Sequence, residues 1–170
     1  MDWTITSTVR VSDPGFHLWI NGQKTIFEEH PGSSRTIFRY GNFIIKKDEG
    51  SDQGSVEVLT FSKIDEADRK YFVPIVHAGF IEGGPAHNGF VVAQPFLTLT
   101  MQGIADEHVK EIMKIQKKYD LYDIDYPEDK CGIRNWALYK GEPVIYDYGM
   151  SSHIPSTQIR ALYRQFKITA

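Results

Sequence analysis

Apolar and polar positions alternate along much of the first half of the 170-residue chain, with the period of two that half-buried strands show. Extended segments are predicted at Thr4–Val11, Phe16–Ile20, Thr36–Tyr40, Asn42–Lys46, Tyr71–Ala78 and Gly89–Phe96. Pro74 argues against a central position in a sheet for the segment that contains it. One helix is predicted among the strands, at Ser55–Ile64, because apolar residues recur every third position from Val58 and Ser55 is a good N-cap.

The period of the apolar residues lengthens in the second half of the chain, which indicates amphipathic helices. Asp106–Tyr119 is predicted to be a helix with late lysines, which the helix dipole favours. Its apolar face is expected to contain Val109, Ile112, Met113 and Ile115. A last helix is predicted at Pro155–Phe166, where Pro155 suits the first turn and the polar face is basic.

Between these two helices, the segment NWALYKGEPVIYDYGM predicts a β-hairpin. Its strands are expected at Trp136–Tyr139 and Pro143–Tyr146, with a turn at Lys140-Gly141-Glu142. Asn135 precedes the first strand and Asp147 follows the second, so antiparallel pairing should bring the amide and the carboxylate together. Oxygen ligands of this kind suit Mg²⁺, while a strand cap at Asn135 and a turn at Asp147 are the plainer interpretation.

The order of the elements predicts an α+β protein, with a β-rich part at 1–98 and a reduced helical part at 99–170 in one compact domain. With 41% hydrophobic and 24% charged residues, the composition is that of a globular protein. The net charge of −3 provides no basic field for nucleic acid. The single cysteine, Cys131, fits a reducing compartment, and no apolar run approaches the roughly 20 residues that span a bilayer. We therefore expect a cytoplasmic protein with no nucleic-acid or membrane partner.

Two charged residues near the first predicted helix could form an anion site. Lys46 ends the apolar strand FIIK and, by alternation, shares a face with Ile44. Glu57, on the helix that follows, could pair with Lys46 and orient it. The competing interpretations are a strand-end lysine that reaches solvent and a first-turn glutamate that the helix dipole favours.

A short Gly/Ser turn, PGSSR, lies just before the strand at Thr36–Tyr40. The backbone N–H groups of Gly32, Ser33 and Ser34 could point at an anion, as a turn between strands allows. A plain β-turn is the alternative, since short turns of this composition are common.

In chain order, a lysine on a strand, a glutamate on the next helix, a later asparagine and an Asp-x-Gly after a hairpin resemble the protein-kinase-like superfamily. FIIK is similar to the family's V-A-I-K strand, VEVLTFSKI to the helix with the partner glutamate, and GFVVAQPF to the last strand and hinge. NWALYKGEPVIYDYG resembles the segment from the asparagine to D-F-G, and HPGSSRTIF resembles a reduced glycine-rich loop. That loop also resembles the loop of compact kinase-like proteins from phages and bacteria.

The resemblance implies a kinase-like fold with a strand-rich N-lobe, one helix in that lobe and a reduced helical C-lobe. It also implies a site for ATP and Mg²⁺. Lys46 would bind the α- and β-phosphates, and Glu57 would hold Lys46 in place. Asn135 and Asp147 would bind Mg²⁺.

The same resemblance implies further contacts with the nucleotide. The loop residues Gly32, Ser33 and Ser34 would bind it as part of the reduced glycine-rich loop. The backbone from Gln94 to Phe96 would contact the adenine, as the hinge of the family does.

The predicted catalytic loop departs from the family pattern H-R-D-x-x-x-x-N, because Lys130 stands at the position of the aspartate relative to Asn135. A charged lysine accepts no proton from a substrate hydroxyl. If the loop is rebuilt, we expect Asp123, in LYDID, to act as the base, with Asp125 and Asp129 as alternatives.

Three functions stay open at this point. A minimal protein kinase would bind ATP and Mg²⁺ and transfer the γ-phosphoryl group to a Ser, Thr or Tyr of a protein partner. A pseudokinase would use the same fold as an interaction or inhibitor module, which the lysine at the base position and the short segment after Gly149 favour. An unrelated α+β binding protein is the third interpretation.

Overall fold

The structure is a computed structural model that describes residues 3–10, 13–28, 35–48, 51–82, 89–122, 135–149 and 154–168. These residues form three antiparallel sheets, three α-helices and one 3₁₀-helix, so the α+β prediction is confirmed. None of the helices among the described residues is both long and apolar enough to cross a bilayer.

The three sheets differ in size, and the largest of them carries the predicted lysine strand. The first sheet has the order β1-β2-β3, with β1 at Ile5–Arg10, β2 at Asp13–Ile20 and β3 at Gln23–Lys24. The central sheet has the order β4-β5-β6-β8-β7, with β4 at Ile26–Glu28, β5 at Arg35–Tyr40, β6 at Phe43–Asp48, β7 at His77–Phe80 and β8 at Phe90–Pro95. The third sheet is a hairpin of β9, at Trp136–Tyr139, and β10, at Glu142–Ile145.

The central sheet is covered on both faces, and this determines where the site residues point. One face packs on the first sheet in a cluster of buried apolar side chains, namely Ile5, Leu18, Ile20, Phe38, Ile45, Ile81, Val91 and Ala93. Side chains of successive strand residues point to opposite faces. Lys46 and its cross-strand partner Val92 therefore lie on the other face.

Helix α1, at Gln53–Lys63, lies against this second face. Asp52 is its N-cap, so the prediction that Ser55 caps the helix is wrong. The Ser55 hydroxyl lies inside the first turn, where it donates to the carbonyl of Asp52 at 2.7 Å. The buried positions of α1 are small or polar, namely Gly54, Ser55, Glu57 and Thr60. Val58 and Phe61, two of the apolar residues whose spacing predicted the helix, lie on another side of α1 and are half-buried.

Asp48 anchors the start of α1 to the end of β6. The backbone N–H of Gly54 donates to both carboxylate oxygens of Asp48, at 3.0 Å each. A Cβ on residue 54 would lie 3.1 Å from the Asp48 carboxylate and from the side chains of Phe90 and Val92. The absence of a side chain at Gly54 therefore allows α1 to approach the sheet. Burial raises the pKa of Asp48 to about 6, although the hydrogen bond from Gly54 opposes this.

The raised pKa of Asp48 predicts a pH-dependent contribution to stability. The folded pKa of about 6 lies above the ordinary value of 3.8, so the unfolded chain loses this proton first as the pH rises. The contribution of Asp48 is then fully present below the unfolded pKa and is lost as the pH rises through about 6. Relative to Asp48→Asn, the free energy of unfolding of the wild type should fall by about 2 kcal/mol between pH 4.5 and pH 7. Urea titrations of both proteins at the two pH values measure this, and a difference that does not change with pH would contradict it.

The hairpin and helix α2, at Asp106–Tyr119, form a second apolar core. Its buried members are Ile64, Phe72, Ile112, Ile115, Leu121, Trp136, Leu138, Ile145 and Tyr148. The bounds of α2 are those predicted. The prediction that Met113 belongs to the apolar face of α2 is wrong, because 49% of the residue is exposed. Tyr148, which directly follows Asp147, belongs to this core. Its burial therefore holds the backbone beside Asp147 in place.

The turn of the hairpin differs from the prediction by one residue. Lys140 and Gly141 have positive φ angles of 54° and 86°, and Glu142 pairs with Tyr139. The turn thus has two residues rather than three, and β10 begins at Glu142. Two left-handed residues match the twist of paired strands, which explains why this shorter turn forms.

The segment predicted to be extended at Tyr71–Ala78 is a strand only at its end. Tyr71 closes a 3₁₀-helix, Glu66–Tyr71, and β7 begins after Pro74 at the edge of the central sheet. The edge position agrees with the expectation from Pro74. Between these elements, the N–H of Val73 donates to the carbonyl of Ile145 at 2.9 Å. This bond ties the hairpin to the segment that leads into the central sheet.

The last helix, α3 at Ser156–Ile168, packs on the β-rich part, although its sequence lies in the second half of the chain. The Tyr163 hydroxyl donates to the Asp52 carboxylate at 2.6 Å, and its ring contacts those of Phe80 and Phe90. Helix α3 therefore braces α1 and the face of the sheet on which Lys46 lies.

Candidate functional site

The predicted pair of Lys46 and Glu57 exists as an ion pair. Nζ of Lys46 lies 2.9 Å from Oε1 of Glu57, and their side chains are 7% and 0% exposed. The alternative in which Lys46 reaches solvent is therefore wrong. Glu57 is fully buried, and the first turn of α1 contains no acidic residue. The alternative interpretation of Glu57 as a first-turn glutamate is therefore also wrong.

Lys46 also contacts the hairpin. Its Nζ donates to the backbone carbonyl of Tyr146 at 2.5 Å. The ammonium group thus lies where the central sheet, α1 and the end of β10 meet. Burial lowers the pKa of Lys46, and the attraction of Glu57 opposes this.

Arg35 joins the pair to Asp147 and was not among the residues predicted for the site. Its Nη1 donates to Oε2 of Glu57 at 2.8 Å, and its Nη2 donates to Oδ1 of Asp147 at 2.5 Å. The Arg35 side chain is 2% exposed. Burial opposes its charge, but the two carboxylates outweigh this and hold the pKa of Arg35 above its ordinary value.

The sequence contained a signal for Arg35 in the alternation of strand β5. Ile37 pairs with Lys46 across β5 and β6, and directly paired residues share a face of the sheet. Arg35 is two residues from Ile37, so it lies on the same face as Lys46. The predicted strand began at Thr36, one residue too late to include Arg35 in this pattern.

Asn135 and Asp147 meet at the open end of the hairpin, as antiparallel pairing predicts. The carbonyl of Asn135 accepts the N–H groups of Tyr146, at 2.9 Å, and Asp147, at 3.3 Å. Asn135 has a φ of 67°, in the left-handed region that asparagine tolerates better than most residues. The amide and the carboxylate are thus carried on adjoining backbone.

The carboxylate of Asp147 is already neutralised by protein cations. Burial raises its pKa, but Lys46 and Arg35 outweigh burial and hold the pKa of Asp147 below its ordinary value. Its side chain is 35% exposed, so it is the acid of this cluster that faces solvent. Carboxylate and amide oxygens are suitable Mg²⁺ ligands, but Oδ1 of Asp147 is held by Arg35. In the part of the chain that the structure describes, no group of three or more His, Cys, Asp or Glu could hold a metal. Arg35 therefore competes with a metal ion for Oδ1 of Asp147.

Gln94 supports the site from beneath through its side chain. Its Nε2 donates to Oε1 of Glu57 at 3.4 Å, to the carbonyl of Val73 at 3.3 Å and to the hydroxyl of Tyr148 at 3.3 Å. Tyr148 itself donates to the carbonyl of Val73 at 2.8 Å. Burial raises the pKa of Tyr148 well above its ordinary value, so the hydroxyl stays a donor. Gln94 thus has a structural contact with the ion pair that the sequence did not predict.

Phe96 lies just beyond the end of β8. Its N–H donates to the carbonyl of Asn42 at 2.8 Å, so this donor is used within the protein. Its ring is 42% exposed, and the guanidinium of Arg39 lies 4.1 Å from the ring centroid. A planar ligand at this edge would therefore meet an aromatic face and a cation, rather than the N–H of Phe96.

Gly149 completes the Asp-Tyr-Gly segment by allowing close packing. A Cβ on this residue would lie 2.7 Å from the backbone carbonyl of Gln53, at the start of α1. Real Cβ contacts are essentially never this short. A glycine is required here because the segment that carries Asp147 approaches the backbone of α1.

Four of the predicted site residues lie outside the described residues. Gly32, Ser33 and Ser34 of the Gly/Ser turn fall in 29–34, and the expected base Asp123 falls in 123–134. Their roles stay predictions.

The residues that the structure brings together form a cluster of ion pairs beside the buried carboxylate of Asp48. Arg35 and Lys46 supply two positive charges, and Glu57 and Asp147 supply two negative charges. The cluster is buried on one side and reaches solvent at the Asp147 carboxylate, so an anionic ligand would have to take the place of a carboxylate to reach either cation. Comparisons with protein-family models, with curated protein sequences and with solved structures found no match for this chain.

Proposed function

We propose that this chain is a compact kinase-like protein that binds ATP at the Lys46 site and transfers the γ-phosphoryl group to a hydroxyl of a protein partner. The observation that carries the proposal is the buried ion pair between Lys46 on a strand and Glu57 on the following helix. In protein kinases, a lysine on a strand pairs with a glutamate on the next helix, and this pair must be in place for phosphoryl transfer.

Three further features support the proposal. Asp147 lies in the same charge cluster and directly follows the hairpin, at the position of the Asp in D-F-G. Asn135 adjoins it through the backbone. Catalysis of phosphoryl transfer depends on positioning and on electrostatic stabilisation, so fixed cations beside a solvent-facing carboxylate are suited to it.

A pseudokinase is the second candidate function. It is favoured by the ion pair between Arg35 and Asp147, because that pair occupies one of the two carboxylate oxygens that a catalytic metal could use. It is also favoured by Lys130, which stands at the position of the base relative to Asn135. In this case the same fold would bind a protein partner without transferring phosphate.

Thermal unfolding with and without ATP tests nucleotide binding. A ligand that binds only the folded chain stabilises it by about 2.7 kcal/mol at a concentration 100-fold above its Kd. For a chain of this length, that corresponds to a rise in Tm of roughly 5–10 °C. We expect such a rise at millimolar ATP, and inorganic phosphate at the same ionic strength is the control. An unchanged Tm, both with Mg²⁺ and with EDTA, would remove the basis of the proposal.

Labelling with [γ-³²P]ATP separates the two candidate functions. If the chain is a kinase, label should appear on the chain itself or on a protein partner, and Asp123→Ala should abolish it because the base is lost. Label that persists in Asp123→Ala would move the base to Asp125 or Asp129. A rise in Tm without any labelling would identify a pseudokinase.

A further inference from the structure

The position of Arg35 has a consequence for the metal chemistry of the site. Its guanidinium bridges the two carboxylates of the cluster, with Nη1 on Glu57 and Nη2 on Oδ1 of Asp147. A planar guanidinium with several N–H donors suits such bridging, and arginine keeps its charge at any physiological pH. Asp147 therefore has a permanent protein cation as its counter-charge.

The charge balance of the cluster disfavours an additional cation. Arg35 and Lys46 are paired with Glu57 and Asp147, and Arg35 also interacts electrostatically with the buried Asp48, so a divalent ion bound beside them would place its charge next to two protein cations in a site whose other side chains are 7% exposed or less. Adding unpaired charge to a buried site is costly. A divalent ion that used Oδ1 of Asp147 would have to displace a charge-assisted hydrogen bond from it.

We propose that Arg35 takes the place of a divalent cation at Asp147 and thereby excludes Mg²⁺ from the nucleotide-free site. This inference rests on the proposed function, because it concerns the metal use of the same site. Arg35 would then determine the metal specificity of the site, because the charge of Asp147 is neutralised by a protein side chain and not by a metal ion. Release of Arg35 from Asp147 is then the condition for metal binding by Asp147.

Binding of Mn²⁺ to the nucleotide-free chain, followed by electron paramagnetic resonance of the free ion, tests the inference. The variants are Arg35→Gln, which removes the charge, and Arg39→Gln as the matched control on the same strand. Arg39 contacts the carbonyl of Gly41 and the ring of Phe96 rather than a carboxylate. We expect Arg35→Gln to bind Mn²⁺ about 10-fold or more tightly than the wild type, since a charge-assisted hydrogen bond no longer competes. Arg39→Gln should match the wild type.

The gain should depend on Asp147. Adding Asp147→Asn to Arg35→Gln should return Mn²⁺ binding to the wild-type level. If Arg35→Gln does not fold, Arg35→Met serves instead, because it also removes the charge and the N–H donors at this position. If neither variant folds, the wild type is compared with Asp147→Asn alone, and equally weak Mn²⁺ binding by both would support the inference.

Several results would overturn the inference. They are Mn²⁺ binding by the wild type as tight as by the Arg35 variants, absence of binding by all of them, or tight binding by the wild type that Asp147→Asn removes. Because no nucleotide is present, these results are independent of the ATP experiment. A chain that shows no rise in Tm with ATP but gains an Mn²⁺ site in Arg35→Gln would lose the proposed function and keep the assignment of Arg35.

Discussion

Replacement of Glu57 by alanine should destabilise the protein by about 3–5 kcal/mol, the largest effect that we expect from a single substitution. Glu57 is fully buried and its two carboxylate oxygens bind different cations, Oε1 the Lys46 ammonium and Oε2 the Arg35 guanidinium. Its removal takes a carboxylate partner away from each of two buried positive charges. Breaking a buried pair by removing one partner is costly because it leaves an uncompensated charge, and this substitution removes the partner of two.

Chemical denaturation of Glu57→Ala and of a matched control measures this effect. Glu66 also forms an ion pair, with Arg69 at 3.0 Å, but its side chain is 88% exposed. Glu66→Ala should therefore change the free energy of unfolding by no more than about 0.5 kcal/mol. A loss below about 1 kcal/mol for Glu57→Ala would show that the charge cluster is not the buried structural element described above.

The elements that the sequence predicted best are those whose apolar period reports burial directly. Helix α2 has the predicted bounds because its apolar residues recur along a single face between polar ends. Helix α1 was predicted with the wrong start, and the spacing of its apolar residues did not identify the side that packs on the sheet, since that side is small and polar. Hydrophobic periodicity carries no signal for such a face.

Turn geometry explains the error at the hairpin. Lys140 adopts a left-handed conformation beside Gly141, and a lysine gives no local indication of this. The predicted turn therefore included Glu142, which pairs with Tyr139 instead. The approach of Asn135 to Asp147 was nevertheless predictable. In any antiparallel hairpin, the start of the first strand and the end of the second strand lie side by side, whichever turn joins them.

The order of residues along the chain predicted one ion pair of the site but not the two that involve Arg35. Lys46 and Glu57 were paired from their positions on a strand and on the next helix, and the structure brings them together. Arg35 was missed because its role depends on which face of β5 it occupies and on two carboxylates distant in sequence. Alternation along β5 places Arg35 on the face of Lys46, but its pairing with two distant carboxylates leaves no local pattern.

The second large effect is expected on ATP binding by Lys46→Met. Methionine is similar in size to lysine and has no charge, so it fills the buried position while Glu57 keeps its ion pair with Arg35. The fold should therefore persist, which a thermal scan of the free variant checks. If Lys46 binds the phosphates of ATP, its loss removes a charge-assisted hydrogen bond worth about 1.5–3 kcal/mol. That corresponds to a loss of affinity of about 10-fold to 100-fold.

Lys63→Met is the matched control for Lys46→Met. Lys63 lies at the end of α1, and its Nζ donates to Oε1 of Gln158 at the exposed surface rather than to the charge cluster. Its replacement removes the same charge from the same region of the protein without touching the site. Lys63→Met should bind ATP as the wild type does, and a loss equal to that of Lys46→Met would indicate a general effect of net charge.

Isothermal titration calorimetry of ATP into the wild type, Lys46→Met and Lys63→Met tests directly whether the buried Lys46–Glu57 pair belongs to an ATP site. We expect measurable binding by the wild type and by Lys63→Met, and binding weaker by about 10-fold or more in a folded Lys46→Met. Wild-type affinity in Lys46→Met, or no binding of ATP by the wild type, would contradict this expectation.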